Sequence, residues 1–192
     1  MKRSFLFDLG FHHGEGLDHL SRIYGVDESW TVFCFEPNSA CRASLLTAGY
    51  LRQPRFAPMP FAVYVKAGPM LFQREAERNG GREDGQGSHL AEIEFALDCH
   101  GAGQEEVWAV DFPAFLRAMI PAEPDACFIV VKMDIEGAEY AILRAMLADG
   151  SIECVDVLHV EFHQRLMASE TDETTERLRE ALRAAVKLVE NW

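Results

Sequence analysis

The stretch LFDLGFHHGEGL, residues 6–17, passes from an apolar run through an acid, Asp8, into a turn holding Gly10, Gly14 and Gly16. Apolar residues at helical spacing resume with Leu17 and Leu20. A buried strand leading through a glycine-rich turn into an amphipathic helix is the opening unit of a parallel α/β sheet. Ligands of such sheets bind beyond the carboxyl ends of strands, where crossovers diverge, so this turn is the first candidate site. Glycine permits unusual backbone angles and lacks a side chain that would hold a ligand away.

The same unit recurs along the chain. Apolar runs predict strands at Ser4–Leu9, Thr31–Glu36, Met59–Val65, Cys127–Asp134 and Val155–Phe162. Between them, helical spacing predicts helices over Gly16–Tyr24, Ser39–Leu46, Phe112–Ile120 and Glu139–Ala148, with Asp111 placed to cap the third. A last helix is expected from about Glu173 to Val186, with Leu178, Leu182 and Ala185 on one face. Alternation of this kind predicts a Rossmann-like, doubly wound, mostly parallel sheet in a single domain over residues 1–192. The final VKLVENW reads as the start of a sixth strand, so the sheet is expected to be short at that edge. Residues Arg74–Glu106, which include ERNGGREDGQGSH, are polar and Gly-rich and are expected to form an irregular loop or lid.

Composition narrows the partners. With 192 residues, 48% of them hydrophobic, the chain can bury one sizeable core. A formal charge of −13 argues against a nucleic-acid backbone as partner. The five cysteines, Cys34, Cys41, Cys99, Cys127 and Cys154, contain no Cys-x-x-Cys pair, and three lie in apolar runs. Buried thiols in a reducing cytoplasm are the reading that suits them. The apolar run of MKRSFLFD is broken by Asp8 too early for a signal peptide, and no run approaches the length of a membrane span.

The turns themselves specify a kind of ligand. The spacing Gly10, Gly14, Gly16 is not the Gly-x-Gly-x-x-Gly of a dinucleotide site. An aspartate two residues before the first glycine would repel phosphates and suit an amino group or a sulfonium. The second strand ends in Glu36, followed by Pro37, where a carboxylate in nucleoside-binding sheets grips the ribose diol. An adenosine-bearing cation fits both turns, and S-adenosylmethionine is such a molecule.

The segments FDLGFHHGEG, FCFEPNSACRASL, FAVYVKAGPMLF, GQGSHL, VWAVDFPAFL, VVKMDIEGAEYAIL and VDVLHVEFH occur in this order from about Phe5 to His163. In that order they resemble the FkbM family of S-adenosylmethionine-dependent methyltransferases, most specifically at FEP and KMDIEGAE. The resemblance implies a class I methyltransferase fold and methylation of a hydroxyl on a sugar or small natural product. It implies that Asp8, Gly10 and Gly14, with Phe11 and His12 between them, form the methionine-side loop, and that Glu36, beside Pro37, holds the ribose. Phe61 and Ala62 would lie near the adenine, and Ser88 and Asp134 near the cofactor. The alternative is a domain that binds cofactor but acts as a non-catalytic partner subunit; a homo-oligomer is also open.

Chemistry is expected at the ends of the fourth and fifth strands. KMDIEGAE and HVEFH place Asp134, Glu136, Glu161 and His163 there, each pair at an i, i+2 spacing that shares a strand face. Such a group is either an acid–base site or a cation site, since crowded carboxylates repel unless protonated or neutralised. Asp134, Glu161 and His163 are the candidate ligands of a divalent metal. His163 is the best intrinsic base and Asp134 the alternative. Glu139 favours a helix N-terminus as readily as a functional part. Lys132, mid-strand, is expected to pair with a buried acid, and His12 and His13 to serve the loop through their backbone.

Overall fold

The structure is a computed structural model that describes residues 3–47, 55–75, 87–94, 101–120 and 127–190. The first units are β1 (Arg3–Leu9), α1 (Glu15–Tyr24), β2 (Trp30–Phe35), α2 (Arg42–Thr47) and β3 (Phe56–Met59). After them come β4 (Ala62–Tyr64), β5 (Gly68–Glu75), β6 (His89–Leu90), β7 (Gly101–Asp111) and α3 (Phe112–Met119). The chain closes with β8 (Cys127–Met133), α4 (Ala138–Asp149), β9 (Val157–Val160), α5 (Asp172–Ala185) and β10 (Lys187–Val189).

Six of the strands form a sheet in the order β10-β9-β8-β1-β2-β3, and every pairing in it is parallel. The order runs outward from β1 on one side and returns to β8 on the other. The point where the winding reverses therefore lies between β1 and β8, and a crevice opens beyond their carboxyl ends. The predicted Rossmann-like sheet is present, and the expected sixth strand occupies its edge as β10.

Strand alternation decides what each face buries. Phe5, Phe7 and Leu9 point to one face, where they pack with Phe33, Val131 and Leu158 under α3, α4 and α5. Leu6, Val32, Cys34 and Val130 point to the other, under Leu17 and Leu20 of α1 and Leu45 of α2. Asp8 belongs to this second face too. In register it lies beside Cys34 on one side and Lys132 on the other, and Lys132 lies beside His159. All four are buried, so a polar row crosses an otherwise apolar layer. The Tyr24 hydroxyl, at the end of α1, meets His159 Nε2 at 2.7 Å and closes the row.

Helix ends follow local chemistry. Asp111 caps α3 by accepting the Ala114 N–H at 3.0 Å, as its position predicted. Thr171 and Thr174 form a reciprocal capping box at the start of α5. Leu178 and Leu182 of that helix are buried, but Ala185 is exposed.

Two expectations need correction. The strand expected over Met59–Val65 is two strands: β3 ends at Met59, and β4 belongs to a different sheet. Pro60 has no N–H to continue a ladder, and the Phe61 N–H turns back to the Met59 carbonyl at 2.8 Å. The stretch 74–106, expected to be irregular, contains the end of β5, all of β6 and the start of β7. Residues 76–86 and 95–100 of that stretch lie outside the described residues, and so does Cys99. The second sheet, ordered β4-β7-β5-β6 with β5 antiparallel to both neighbours, buries Met70, Phe72, Leu90 and Val107 against the α3–α4 face. Among the described residues no helix is long and apolar enough to cross a membrane.

Candidate active site

A cavity of about 510 Å³ lies beyond the carboxyl ends of β1, β2 and β8, in the size range of small-molecule sites. Gly10, Phe11, His12, Glu36, Pro37, Phe61, Ala62, Ser88 and Asp134 line it, and so do Glu136, Glu161 and His163. Asp8 and Gly14 do not. The second sheet contributes Phe72, His89 and Leu90, and α1 contributes Glu15 and His19; neither contribution was legible beforehand.

The glycine turn is shaped by its own packing. Gly10 has φ +82°, and a Cβ there would stand 1.9 Å from the Asp134 carbonyl oxygen. Gly14 has φ +99°, and its Cβ would meet the buried Phe11 ring at 2.9 Å. The bareness of the turn thus admits the backbone after β8 and the Phe11 ring. Its amides also point inward: the Gly10 and Phe11 N–H groups both donate to the Phe35 carbonyl, and Gly14 N–H donates to Phe11. These three N–H groups are therefore taken up within the protein, and the turn lacks a dinucleotide fingerprint.

Asp8 is the principal correction. It was expected at the lip of the turn, facing a cationic ligand; it is fully buried, with the Lys132 ammonium 3.2 Å away. Lys132 Nζ also donates to the Leu9 and Gly10 carbonyls and lies 3.6 Å from Asp134 Oδ2. Burial pulls the Lys132 pKa down, but the Asp8 and Asp134 carboxylates outweigh it and keep the ammonium charged. Burial pushes Asp8 up, and Lys132 opposes that push. Asp8 is therefore the counter-ion of a lysine that faces the cavity, one strand removed from it.

Glu36 is where the second turn predicted it. Its backbone continues the sheet by donating to Met59, and its side chain is buried at the cavity wall. Oε2 accepts the His12 N–H at 2.7 Å and Oε1 accepts the Asn38 N–H at 2.8 Å. One carboxylate so ties the first turn, where His12 adopts φ +51°, to the second. Each oxygen keeps a lone pair for a ligand hydroxyl. Burial raises the Glu36 pKa, and the two amides oppose the rise.

On the far side of the cavity the predicted cluster forms, by a different route. Strands β8 and β9 stop at Met133 and Val160, so neither Asp134 and Glu136 nor Glu161 and His163 share a strand face. Instead Glu136 takes φ +50° in the turn before α4, which brings its carboxylate back toward His163. His163 Nε2 lies 3.5 Å from Glu136 Oε1, 3.7 Å from Asp134 Oδ1 and 4.0 Å from Glu161 Oε1. Glu161 stands at the rim with its side chain 61% exposed, whereas that of His163 is 9% exposed.

Glu139, which its sequence position left undecided, holds this cluster from beneath. It is fully buried, and Oε1 accepts from the His163 N–H at 2.9 Å and faces His163 Nδ1 at 3.1 Å. Oε2 accepts the Gly137 N–H at 2.8 Å. With an ionised carboxylate at Nδ1, that nitrogen carries the proton, so Nε2 is the atom turned to the cavity. Burial works to lower the His163 pKa, yet the Glu139 hydrogen bond and the surrounding carboxylates push it up to about 9. Burial lifts Glu136 to about 8, although His163 pulls it down.

A site on the carboxyl ends of a doubly wound sheet, with an acid closing β2 and a cluster of carboxylates and a histidine after β8 and β9, invites comparison with known proteins. No curated protein and no solved structure gives a significant match to the chain. The family model described as Methyltransferase FkbM domain matches residues 8–187, and the chain belongs to that family of methyltransferases.

Proposed function

We propose that this enzyme is an S-adenosylmethionine-dependent O-methyltransferase that acts on a hydroxyl of a sugar or other small natural product. The observation that carries the reading is Glu36, a buried carboxylate directly after β2 that lines the cavity and has lone pairs beyond those its two N–H donors use. The cavity's chemistry suits a nucleoside cation: the Gly10, Phe11, His12 and Gly14 N–H groups are taken up within the protein, and Asp8 is the counter-ion of Lys132. S-adenosylmethionine, when bound, supplies a methyl group already activated on a sulfonium.

The remaining work falls to the protein. Glu36 accepts from the ribose hydroxyls, and Phe61 and Ala62 provide apolar surface at the end of β3 for the base. Gly10, Phe11 and His12 flank the amino-acid end, with Pro37 and Ser88 completing the wall. Alignment of the acceptor oxygen and exclusion of water then supply most of the acceleration. As the new carbon–oxygen bond forms, the acceptor hydroxyl must lose its proton. His163, charged at neutral pH, is a poor acceptor of it, so the proton passes to Asp134, with Glu136 beside it and Glu161 at the exposed rim.

Calorimetric titration with S-adenosylhomocysteine tests the reading. Binding by the wild type and a loss of at least tenfold in Glu36→Ala are expected; absence of binding by the wild type would reject the proposal. With a panel of hydroxylated acceptors, Asp134→Asn should lower turnover by about 10²–10⁴-fold, the usual size of a general-base contribution. The reducing state expected of its thiols suits a cytoplasmic enzyme, with a small hydroxylated molecule as its partner.

A further inference from the structure

We propose that Asp134, Glu136 and His163 bind one divalent cation, of the Mg²⁺ or Mn²⁺ kind, on which the acceptor's hydroxyl oxygen is held. This inference rests on the methyltransferase site described above and adds to it a ligand for the acceptor. Carboxylate oxygens of Asp134 and Glu136 and a ring nitrogen of His163 lie within 4.8 Å of one another. Bonds of about 2.1 Å would bring adjacent ligand atoms to roughly 3 Å and opposite ones to about 4.2 Å. The present separations of 3.5 and 3.7 Å from Nε2 lie between those values. They are also longer than the usual hydrogen bond of about 2.7–3.2 Å.

The second observation is the aim of His163. Its side chain is 9% exposed, Nδ1 is engaged by Glu139, and Nε2 is directed at the two carboxylates without closing on either. A metal-binding imidazole is held in just this way, its other nitrogen donating to a carboxylate that fixes ring and tautomer. The charges agree as well. Without a metal, the positive charge between Asp134 and Glu136 is that of His163, whose Nε2 proton a bound cation would displace. One divalent cation neutralises both. Asp134 is already divided for the purpose, with Oδ2 toward Lys132 and Oδ1 toward His163. Three protein ligands leave coordination positions for water and for an acceptor oxygen, whose proton the cation would make easier to lose. The expected metal set therefore changes by one residue: Glu136 takes the place of Glu161, which stays at the rim.

The probe is Mn²⁺ added to the full chain, with free Mn²⁺ followed by electron paramagnetic resonance in physiological salt. One bound ion per chain is expected, with affinity at least tenfold lower in Glu136→Gln and in His163→Asn. Glu139→Gln should weaken binding about tenfold through the ring it positions. Titration with S-adenosylhomocysteine in the presence of a chelator runs in parallel. Nucleoside binding with no Mn²⁺ site would overturn the cation and keep the methyltransferase reading, and the reverse result would do the opposite. Variants that hold Mn²⁺ as tightly as the wild type would also overturn the cation, since acidic surface alone would then explain it. Circular dichroism identifies any variant that fails to fold, in which case the other of the pair decides.

Discussion

Two groups of ionisable residues lie within a few ångströms of each other, and they differ in how their charges are met. In the row Cys34–Asp8–Lys132–His159, every member is buried between the sheet and α1, and the partners come from the protein itself. In the group Asp134–Glu136–His163, the atoms face the cavity and stop short of hydrogen bonding one another. Lys132 joins them, with Asp8 behind it and Asp134 before it. An acid near a ligand site is thus no guide to function until its partner is known: Asp8 serves the scaffold and Asp134 serves the cavity, one strand apart.

The sharpest way to break this contrast is to remove the buried counter-ion. Asp8→Asn should destabilise the fold by about 3–5 kcal/mol, because it leaves the Lys132 ammonium buried without its main partner. Urea denaturation reads the loss, and the double change Asp8→Leu with Lys132→Met should recover most of it. If Asp8→Asn were as stable as the wild type yet bound S-adenosylhomocysteine more weakly, Asp8 would belong with the cavity residues after all.

A smaller effect is expected where the two groups touch through the backbone. Gly10→Ala forces a side chain into the left-handed region, at about 1–3 kcal/mol, and sets its Cβ against the Asp134 carbonyl. Gly25→Ala is the control: its φ is +61°, but a Cβ there meets nothing within 4 Å. The Gly10 variant should lose more stability than the Gly25 variant, and only the Gly10 variant should also change nucleoside affinity. Equal losses would show that the contact with Asp134 carries nothing.

The pH dependence of the row distinguishes it further. Burial lowers the His159 pKa to about 4, so the folded state keeps this ring neutral where an unfolded histidine takes up a proton. The unfolded chain then binds more protons between pH about 6.5 and 4, and stability falls as the pH drops through that window. A loss of about 1 kcal/mol is expected between pH 6.5 and 5.5, flattened in His159→Phe. The smallest effect belongs to Tyr24→Phe, which removes one hydrogen bond to that ring and should cost about 0.5–1.5 kcal/mol. A pH profile identical in wild type and His159→Phe would remove His159 from the comparison.

Much of the molecule can be read without coordinates, for a physical reason in each case. Runs such as FLF and FIVV are apolar at successive positions because both faces of a central parallel strand are covered. Acids directly after such runs stand at the ligand edge because the strand ends there, and Glu36, Asp134 and His163 all line the cavity as expected. The second sheet was harder to see. Its long strands β5 and β7 alternate exposed and buried residues, as Leu71 beside Phe72 and Trp108 beside Val107, and its polar connections resemble a loop.

By itself, then, the sequence determined the doubly wound fold, the family and the edge of the sheet where chemistry collects. Those follow from local patterns of apolarity and from the residues that end each strand. Only the tertiary structure decided which acid meets which base. Asp8 and Lys132 are neighbours because β1 and β8 pair in register, and Glu139 reaches His163 because α4 begins beneath the end of β9. Partnership is set by strand order and register, and neither is carried by any one segment of the chain.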